Sequence, residues 1–511
     1  MRATMALGHG TGEHVELPRL TGDGVARLRD ALAKAEYTVD SVTGLLGPVA
    51  SAALNRNETT PGRRVTSGGS PLETLTRIWP LQLPVRRAAA DRVLPLAELV
   101  DGGLLGVDGD TVHAVVDVRP YADEAGDWWV VSDLTPGLDG RIEPVAADHV
   151  LGVNAASSTL AQLTVRRPVE RALDLGTGCG VQALHLSRHC TTIVATDVNL
   201  RALALAALTA RLNGVDVDLR AGSLYEPVTA ERFDLIATNP PFVVSPGGHH
   251  VYRDSGLPGD ELSRRVVVDG AARLRDGGTL ESLANWMHIT GHDWKERVGK
   301  WVAATDCDAW IIQREVQDPA AYVELWLRDA GELAGPDYVS RYDSWLAWFE
   351  AQRVDGIGFG WVMLRAARTD DVSVRIEDWP HAVEQPLGPV VAGHFDRLDT
   401  LRRLERDEDL LGTRLHLADD IVQEQIGPPG AEHPAYVVLR QQRGLRRAVE
   451  VGTAEAALVG ACDGSVPIGT LVDAVAAVLD VDPLALRSDL LPRLRQFIGD
   501  GYLEFATGAS A

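Results

Sequence analysis

The chain has 511 residues, which is too long for one ordinary hydrophobic core and predicts about two to four domains. It is 45% hydrophobic, as expected for a globular protein, and its formal net charge of −23 disfavours non-specific DNA binding, because an acidic surface repels polyphosphate. No membrane-spanning apolar run, signal peptide or C-x-x-C pair is apparent, so we expect a cytoplasmic protein with no membrane contact, no disulfide framework and no bound metal.

Residues 1–150 are predicted to form an accessory domain that takes part in substrate recognition. Helical patterns at 24–47 and 95–107 are followed by two alternating stretches, 111–121 and 127–134, which have the pattern of hairpin strands. Helices followed by a hairpin is the order of a winged-helix-like α+β module, and we expect such a module here.

Residues 151–370 alternate short apolar strands with helices and are predicted to form the catalytic domain. A helix is expected over 199–214, where Asn199 can cap the first turn and Gly214 can adopt the left-handed conformation that ends it. This alternation indicates an α/β parallel sheet covered on both faces, and such sheets bind ligands beyond the carboxyl ends of their strands. The predicted strands are 171–176, 191–197, 215–222, 233–239 and 279–286.

Residues 371–511 are predicted to form a C-terminal accessory domain. Its last stretch, 468–505, has the pattern of helices followed by a strand, which again favours a winged-helix-like element. Arg487, Arg493 and Arg495 lie on the final helical pattern but are surrounded by acidic residues. A structural or dimerising module is therefore favoured over a phosphate-binding face.

A glycine-rich turn directly follows the first predicted strand of the middle part. Gly176, Gly178 and Gly180 allow the backbone to turn tightly and a ligand to approach the main chain at the start of a helix. Asp174 precedes this turn, and Asp197 closes the next strand, where a carboxylate can accept hydrogen bonds from both ribose hydroxyls. Together these residues indicate a nucleoside-containing ligand.

The strand over 233–238 stops at an unusual sequence, Asn239-Pro240-Pro241-Phe242. Two prolines remove two backbone donors, so the strand cannot continue its ladder. An amide, two rigid residues and an aromatic ring at a strand's carboxyl end indicate a binding or catalytic function there. A proline-terminated edge strand with no further function is the simpler alternative.

The motifs DLGTGCG, ATDVN, AGSLYEP and TNPPF, in this order, resemble those of class I S-adenosylmethionine (SAM)-dependent methyltransferases. Within that class they resemble the amino-methylating branch, which includes HemK/PrmC protein-glutamine methyltransferases, N6-adenine DNA methylases and N2-guanine rRNA methylases. The resemblance covers roughly residues 150–290. It implies a Rossmann-like sheet, flanked here by smaller α+β domains, and SAM as the cofactor.

The resemblance also implies roles for individual residues. The glycine turn and Asp174 would meet the methionine part of SAM, the end of the second strand would hold the ribose, and residues 223–224 would line the adenine. Many relatives have Asp where Ser223 stands, and serine accepts a hydrogen bond less strongly. The implied cofactor-binding residues are Asp174, Gly176, Thr177, Gly178, Gly180, Asp197, Val198, Ser223, Leu224 and Asn239.

Asn239, Pro240, Pro241 and Phe242 would form the catalytic motif. The resemblance assigns Asn239 Oδ1 and the Pro240 carbonyl as acceptors for the two N–H bonds of a planar NH2 group. Such contacts favour a more tetrahedral nitrogen and free its lone pair, so catalysis is positioning and polarisation without a strong base. Phe242 can stack on a planar amide or base.

These motifs leave the methyl acceptor open. A protein glutamine is the favoured substrate, and an exocyclic amine of a base in RNA or DNA is the alternative. A SAM-binding regulator without catalysis is the third hypothesis, and the intact Asn-Pro-Pro-Phe motif argues against it. The partner is accordingly a protein or a structured nucleic acid, and the sequence does not indicate an oligomeric state.

Three weaker signals lie around these motifs. Loop residues after the catalytic motif are candidates for a substrate lid: His249, His250, Tyr252, Arg253 and Asp254. A polar stretch before the first strand is a candidate for contact with the SAM carboxylate or the substrate: Asn154, Ser157, Ser158 and Thr159. Tryptophans crowd the second half of the middle domain, where we favour a role in core packing over base stacking: Trp286, Trp294, Trp301, Trp310, Trp326, Trp345, Trp348 and Trp361.

Overall fold

The fold was determined as a computed structural model. The structure describes residues 17–141, 145–247, 257–331, 335–367, 369, 371–430 and 433–506. The five lid candidates at 249–254 lie outside the described residues.

The N-terminal part contains six helices and five strands within the described residues. From α4 to β3 the order is helix, strand, helix, helix, strand, strand, and β3 pairs with both β1 and β2. This is the order of a winged-helix-like module, but its hairpin is β2-β3 and not the predicted pair 111–121 and 127–134, and the assignment stays a prediction. The elements are α1 (Gly22–Lys34), α2 (Val39–Leu54), α3 (Thr60–Val65), α4 (Pro71–Ile78), β1 (Val85–Arg86), α5 (Arg87–Asp91), α6 (Leu96–Asp101), β2 (Leu105–Asp108), β3 (Thr111–Ala114), β4 (Asp117–Asp123) and β5 (Gly126–Ser132).

The predicted strand over 111–121 is divided into two. The N–H groups of Val115 and Val116 both donate to the carbonyl of Leu104, at 3.0 and 3.3 Å, and the chain changes direction there. As a result β3 joins the winged-helix-like sheet, whereas β4 forms a separate hairpin with β5. The hairpin prediction was therefore correct for 117–132 and wrong for the first strand, because alternation alone does not reveal this turn.

The middle part is built around one sheet of eight strands in the order β8-β7-β6-β9-β10-β12-β11-β13. Strands β8, β7, β6, β9 and β10 are parallel, and β12 is antiparallel to both of its neighbours. The elements are α7 (Ala155–Leu163), β6 (Val169–Leu175), α8 (Val181–Leu186), β7 (Cys190–Asp197), α9 (Leu200–Leu212), β8 (Asp218–Ala221), β9 (Phe233–Thr238), α10 (Glu261–Ala271), β10 (Leu274–Ile289), α11 (Trp294–Val302), β11 (Cys307–Gln317), α12 (Pro319–Asp329), α13 (Tyr338–Ala351), β12 (Val354–Ala366) and β13 (Val374–Asp378).

This sheet confirms the predicted Rossmann-like α/β fold and all five predicted strands. The helix predicted over 199–214 is α9. Asn199 Oδ1 accepts the N–H of Arg201 at 2.9 Å and caps its start, and Gly214 follows its end with φ of +67°. The tryptophan prediction also holds for Trp286, Trp301, Trp310, Trp326, Trp345 and Trp361, which are buried.

The C-terminal part is helical with two small sheets. The predicted order of helices followed by a strand is present as α17, α18 and β18, and β18 pairs with the distant β14. The elements are α14 (Gly388–Arg403), α15 (Asp407–Leu411), β14 (Leu415–Leu417), β15 (Ile421–Ile426), β16 (Tyr436–Gln441), β17 (Ala448–Val451), α16 (Thr453–Ala461), α17 (Ile468–Leu479), α18 (Pro483–Asp500) and β18 (Leu503–Phe505).

The arginines of α18 are held by the protein itself. Arg487 forms an ion pair with Asp473, Arg493 with Glu455, and Arg495 donates to the carbonyl of Leu404. These contacts agree with the structural role that we favoured for this helix.

The flanking parts are tightly joined to the central sheet. The N–H of Val131 in β5 donates to Thr209 Oγ1 of α9 at 3.0 Å, and that of Trp129 donates to Asn213 Oδ1 at 2.9 Å. On the other side, β13 pairs with β11, so the sheet continues past the predicted domain boundary at residue 370. The division into 1–150, 151–370 and 371–511 remains a prediction. At both boundaries the flanking part packs against the central sheet or its helices.

Two possible features are not found within the described ranges. None of the helices there is both long and apolar enough to cross a bilayer. The same residues include no group of three or more His, Cys, Asp or Glu side chains that is placed to hold a metal ion.

Candidate active site

A cavity of about 480 Å³ lies at the carboxyl ends of β6, β7 and β9. This is the edge at which a parallel sheet of this type binds ligands. The cavity brings together most of the residues predicted from the sequence: Gly176, Thr177, Gly178, Asp197, Val198, Ser223, Leu224, Asn239, Pro240, Pro241 and Phe242. Two predicted residues, Asp174 and Gly180, are not part of its wall.

The glycine turn provides an open backbone surface at one end of the cavity. Gly176 and Gly178 have φ of +73° and +56°, which favours glycine, and a Cβ built on either residue would meet no atom within 4 Å. Gly180 has φ of +83°, and a Cβ there would lie 3.3 Å from Ala206 of α9. The first two glycines therefore leave space for a ligand, whereas Gly180 permits close packing between α8 and α9.

Asp174 lies behind this turn and is 1% exposed. Its Oδ2 accepts the hydroxyl of Thr177 at 2.6 Å and the N–H of Ala183 at 3.1 Å. Burial raises the pKa of Asp174 to about 7, although these two hydrogen bonds act in the opposite direction. The carboxyl group thus ties the glycine turn to the first turn of α8, and its direct contact with SAM remains a prediction.

Asp197 ends β7 with its carboxylate beside the same turn. Its Oδ2 accepts the N–H of Gly178 and its Oδ1 accepts the N–H of Asn199, both at 2.9 Å. Burial raises the pKa of Asp197, and the two backbone N–H groups oppose this shift. Each oxygen retains a second lone pair, so a bidentate contact with two ribose hydroxyls is chemically available.

Asn239 and Pro240 stand at the end of β9, across the cavity from these residues. The side-chain amide of Asn239 has no hydrogen-bond partner among the described residues, although the residue is only half-exposed. The Pro240 carbonyl accepts the N–H of Phe242 at 2.7 Å, which leaves one lone pair for a ligand. Both proposed acceptors are therefore present and chemically free to bind an NH2 group.

The loop after β8 forms the part of the cavity where the adenine is predicted to lie. Leu224 is half-buried and has φ of +47°, and Ser223 is exposed beside it. Val198, which follows Asp197, is 73% exposed. An exposed valine and a strained leucine facing a cavity offer apolar surface for a flat ring.

The polar stretch at the start of α7 is engaged in helix capping. Asn154 Oδ1 accepts the N–H of Ser157 at 3.0 Å, and Ser157 Oγ accepts the N–H of Asn154 at 2.9 Å. Both residues line the cavity, whereas Ser158 and Thr159 do not. Of the four residues predicted to contact the SAM carboxylate or the substrate, Asn154 and Ser157 therefore remain the candidates.

Several cavity residues had no signal in the sequence. The loop that precedes α7 forms one wall and is anchored from the N-terminal part, since Asp133 accepts the N–H of Val150 at 2.8 Å and pairs with Arg201 of α9. The unpredicted wall residues include His149, Val150, Leu151, Gly152, Gln182, Leu257, Leu262 and Arg265. They come from segments far apart in the chain, so no local motif marks them.

The cavity residues fit SAM by their chemistry. An open glycine backbone suits the amino acid end, a carboxylate suits the ribose and apolar side chains suit the adenine, and these groups follow one another along the sheet edge in that order. The sheet order, the glycine turn after β6 and the carboxylate after β7 define a class I methyltransferase domain.

Residues 151–301 match the family described as the methyltransferase small domain. Residues 34–115 and 392–504 match two families described as domains of unknown function.

Three relatives each match a part of the chain. A release factor glutamine methyltransferase of Xylella fastidiosa is 32% identical over 162 residues, which are 28% of this chain and 59% of that protein. A ribosomal protein uL3 glutamine methyltransferase of Bradyrhizobium diazoefficiens is 31% identical over 186 residues, 33% of this chain and 57% of that protein. A ribosomal RNA small subunit methyltransferase C of Alcanivorax borkumensis is 28% identical over 115 residues, 22% of this chain and 32% of that protein. The chain spans less than two thirds of the length of each.

We expect Asp197→Ala to weaken SAM binding by about 1.5–3 kcal/mol, the range for losing hydrogen bonds to a charged group. The substitution removes the ribose acceptor and also releases the N–H groups of Gly178 and Asn199. Isothermal titration measures the change. Asp216→Ala, which alters an exposed carboxylate after α9, is the matched control and should bind SAM normally. Normal affinity in a folded Asp197→Ala protein would reject the ribose assignment.

Proposed function

We propose that this protein binds SAM and transfers its methyl group to a planar NH2 nitrogen, with a protein glutamine side chain as the favoured acceptor. The observation that carries the proposal is the arrangement of Asn239 and Pro240. Both residues line the same cavity as the glycine turn and Asp197, and the Asn239 amide has no partner in the described part of the protein.

Each group has a distinct part in the proposed reaction. SAM supplies an electrophilic methyl group bound to a sulfonium centre. Gly176, Gly178 and Asp197 hold and orient the cofactor at one side of the cavity. Asn239 Oδ1 and the Pro240 carbonyl accept the two N–H bonds of the acceptor and orient its lone pair. A carbon–nitrogen bond would form as the carbon–sulfur bond of SAM breaks, with S-adenosylhomocysteine as the leaving group. No strong base is required, because the methylated nitrogen loses its proton to water after transfer.

Glutamine is favoured by the relatives. Of the three relatives described above, the two that are more than 30% identical are named as glutamine methyltransferases of a release factor and of a ribosomal protein. The relative named for ribosomal RNA matches a shorter stretch at lower identity. We accordingly propose a protein partner and a cytoplasmic location, where such substrates are made.

Methylation of a nucleic-acid base is the second candidate, and a charge feature of the N-terminal part favours it. Residues 55–92 contain seven arginines and three acidic residues in a chain whose net charge is −23. Within the described ranges none of these arginines forms an ion pair, so their charge is available to phosphate groups. They are Arg56, Arg63, Arg64, Arg77, Arg86, Arg87 and Arg92.

Labelling with tritiated SAM separates these candidates. The acceptor source is lysate from a strain that lacks the gene, and the labelled product is divided and treated with protease, RNase or DNase. Label that only protease releases is the result expected for glutamine methylation. Label released by a nuclease would support the second candidate, and SAM binding without any label would support a regulator.

A further inference from the structure

The connection between β11 and β12 contains two helices, α12 and α13, which together we call the helical insertion (319–351). Its apolar core includes the residues that directly follow the catalytic motif. One apolar cluster contains Val243 and Val244 from that chain together with Tyr322, Val323, Trp326, Leu327, Trp345 and Phe349 from the insertion. The insertion is therefore packed directly against the acceptor side of the site.

Tyr322 makes the polar contacts within this apolar cluster. Its hydroxyl oxygen accepts the backbone N–H of Val244 at 2.8 Å and the side-chain amide of Asn285 at 3.1 Å. Tyr322 and Val244 are 0% exposed and Asn285 is 1% exposed. A buried N–H needs a partner, so this hydroxyl fixes the backbone two residues after Phe242.

Trp326 lies one helical turn after Tyr322 and reaches the cavity itself. Its ring meets Phe242 edge to face, with centroids 6.5 Å apart and planes at 74°, and it meets Tyr322 at 5.9 Å. Phe242 and Trp326 both line the cavity, as do Asn239 and Pro240. The acceptor side therefore combines two hydrogen-bond acceptors with two aromatic rings, a wall suited to a planar carboxamide or base.

We propose that Trp326 contacts the methyl acceptor and that Tyr322 is a positioning residue, which holds Val244 and thereby the motif before it. This inference rests on the proposed function, since it concerns the acceptor of the same reaction. It assigns the helical insertion to acceptor recognition and gives it no part in binding SAM, whose predicted contacts lie at the carboxyl ends of β6, β7, β8 and β9.

The test uses two analogues of SAM in the full-length protein. In one, the sulfonium methyl is replaced by a short chain that ends in a glutamine side-chain carboxamide, and in the other by a chain that ends in adenine joined through N6. Isothermal titration gives the affinity of each analogue relative to S-adenosylhomocysteine, which lacks an acceptor arm. We expect the wild-type protein to bind the carboxamide analogue roughly tenfold more tightly or better.

Tyr322→Phe and Trp326→Leu should reduce the affinity advantage of the carboxamide analogue over S-adenosylhomocysteine roughly two- to tenfold. S-adenosylhomocysteine itself should bind normally, and Trp326→Phe should restore part of the advantage. Tyr342→Phe is the matched control. It removes a hydroxyl that bonds Glu324 and the carbonyl of Ala320 within the insertion, away from the cavity. Its affinities should equal those of the wild type.

The outcomes separate the inference from the proposed function. If Tyr322→Phe and Trp326→Leu both keep the affinity advantage of the carboxamide analogue, the inference is overturned and the proposed function still stands. If either variant loses S-adenosylhomocysteine binding, the inference is overturned because the insertion supports the cofactor site instead. If the wild-type protein binds S-adenosylhomocysteine but binds neither the carboxamide nor the adenine analogue more tightly, the result contradicts the proposed function.

Discussion

Replacing Asn239 by alanine will lower kcat by roughly two to three orders of magnitude, while SAM affinity will change by less than about threefold. Asn239 Oδ1 is one of two acceptors available to polarise the NH2 group, and its contact strengthens as the nitrogen becomes tetrahedral. The side chain makes no hydrogen bond within the described part, so its removal costs the fold little.

Two measurements check this prediction. One is the initial rate of tritium transfer from SAM to lysate of the strain that lacks the gene, and the other is isothermal titration with SAM. Asn55→Ala, which alters an exposed residue at the end of α2, is the control and should leave both quantities unchanged. Equal losses of rate and SAM affinity in Asn239→Ala would show that the residue acts as a cofactor ligand instead.

The second large effect concerns a fragment of residues 145–375. The sequence motifs in this fragment predict a self-contained SAM-binding unit. The packing of β5 and α14 against the central sheet predicts instead that the fragment aggregates. The first cut removes β5, whose N–H groups bond Thr209 and Asn213 of α9. The second cut divides β13 and removes α14, whose apolar residues pack against the sheet. Each large apolar side chain that loses its cover costs about 1.5–3 kcal/mol, against a total stability of about 5–15 kcal/mol.

A fragment of residues 117–403 is the matched comparison, because it retains the β4-β5 hairpin, β13 and α14. We expect it to be soluble and to bind SAM, and we expect residues 145–375 to form aggregates. Circular dichroism, size-exclusion chromatography and SAM titration distinguish the two. A folded 145–375 fragment with the full-length protein's SAM affinity would show that the contacts of β5 and α14 are dispensable.

The part of the site that the sequence predicted is the part made of local motifs. Gly176 and Asn239 directly follow apolar strands, Gly178 belongs to the same turn as Gly176, and Asp197 ends the next strand. The carboxyl ends of parallel strands meet at one edge of the sheet. Residue types and strand periodicity were therefore sufficient to bring these residues together.

The remaining features depend on contacts between distant segments. Trp326 reaches the cavity from the helical insertion, whereas the tryptophan-rich composition of that region favoured core packing over base stacking. Asp174 directly precedes the glycine turn, but its sequence neighbours do not reveal that its carboxyl group is buried and bonded to Thr177 and Ala183. The antiparallel insertion of β12 between β10 and β11 likewise has no local signal.

The central claim is that a planar NH2 nitrogen receives the methyl group of SAM. Its most direct test is mass spectrometry of the protein labelled by the full-length enzyme in lysate from the deletion strain. We predict a mass increase of one methyl group on a glutamine side chain, present with the wild-type enzyme and absent with Asn239→Ala. A methyl group on an oxygen, a sulfur or an aliphatic amine would contradict the account.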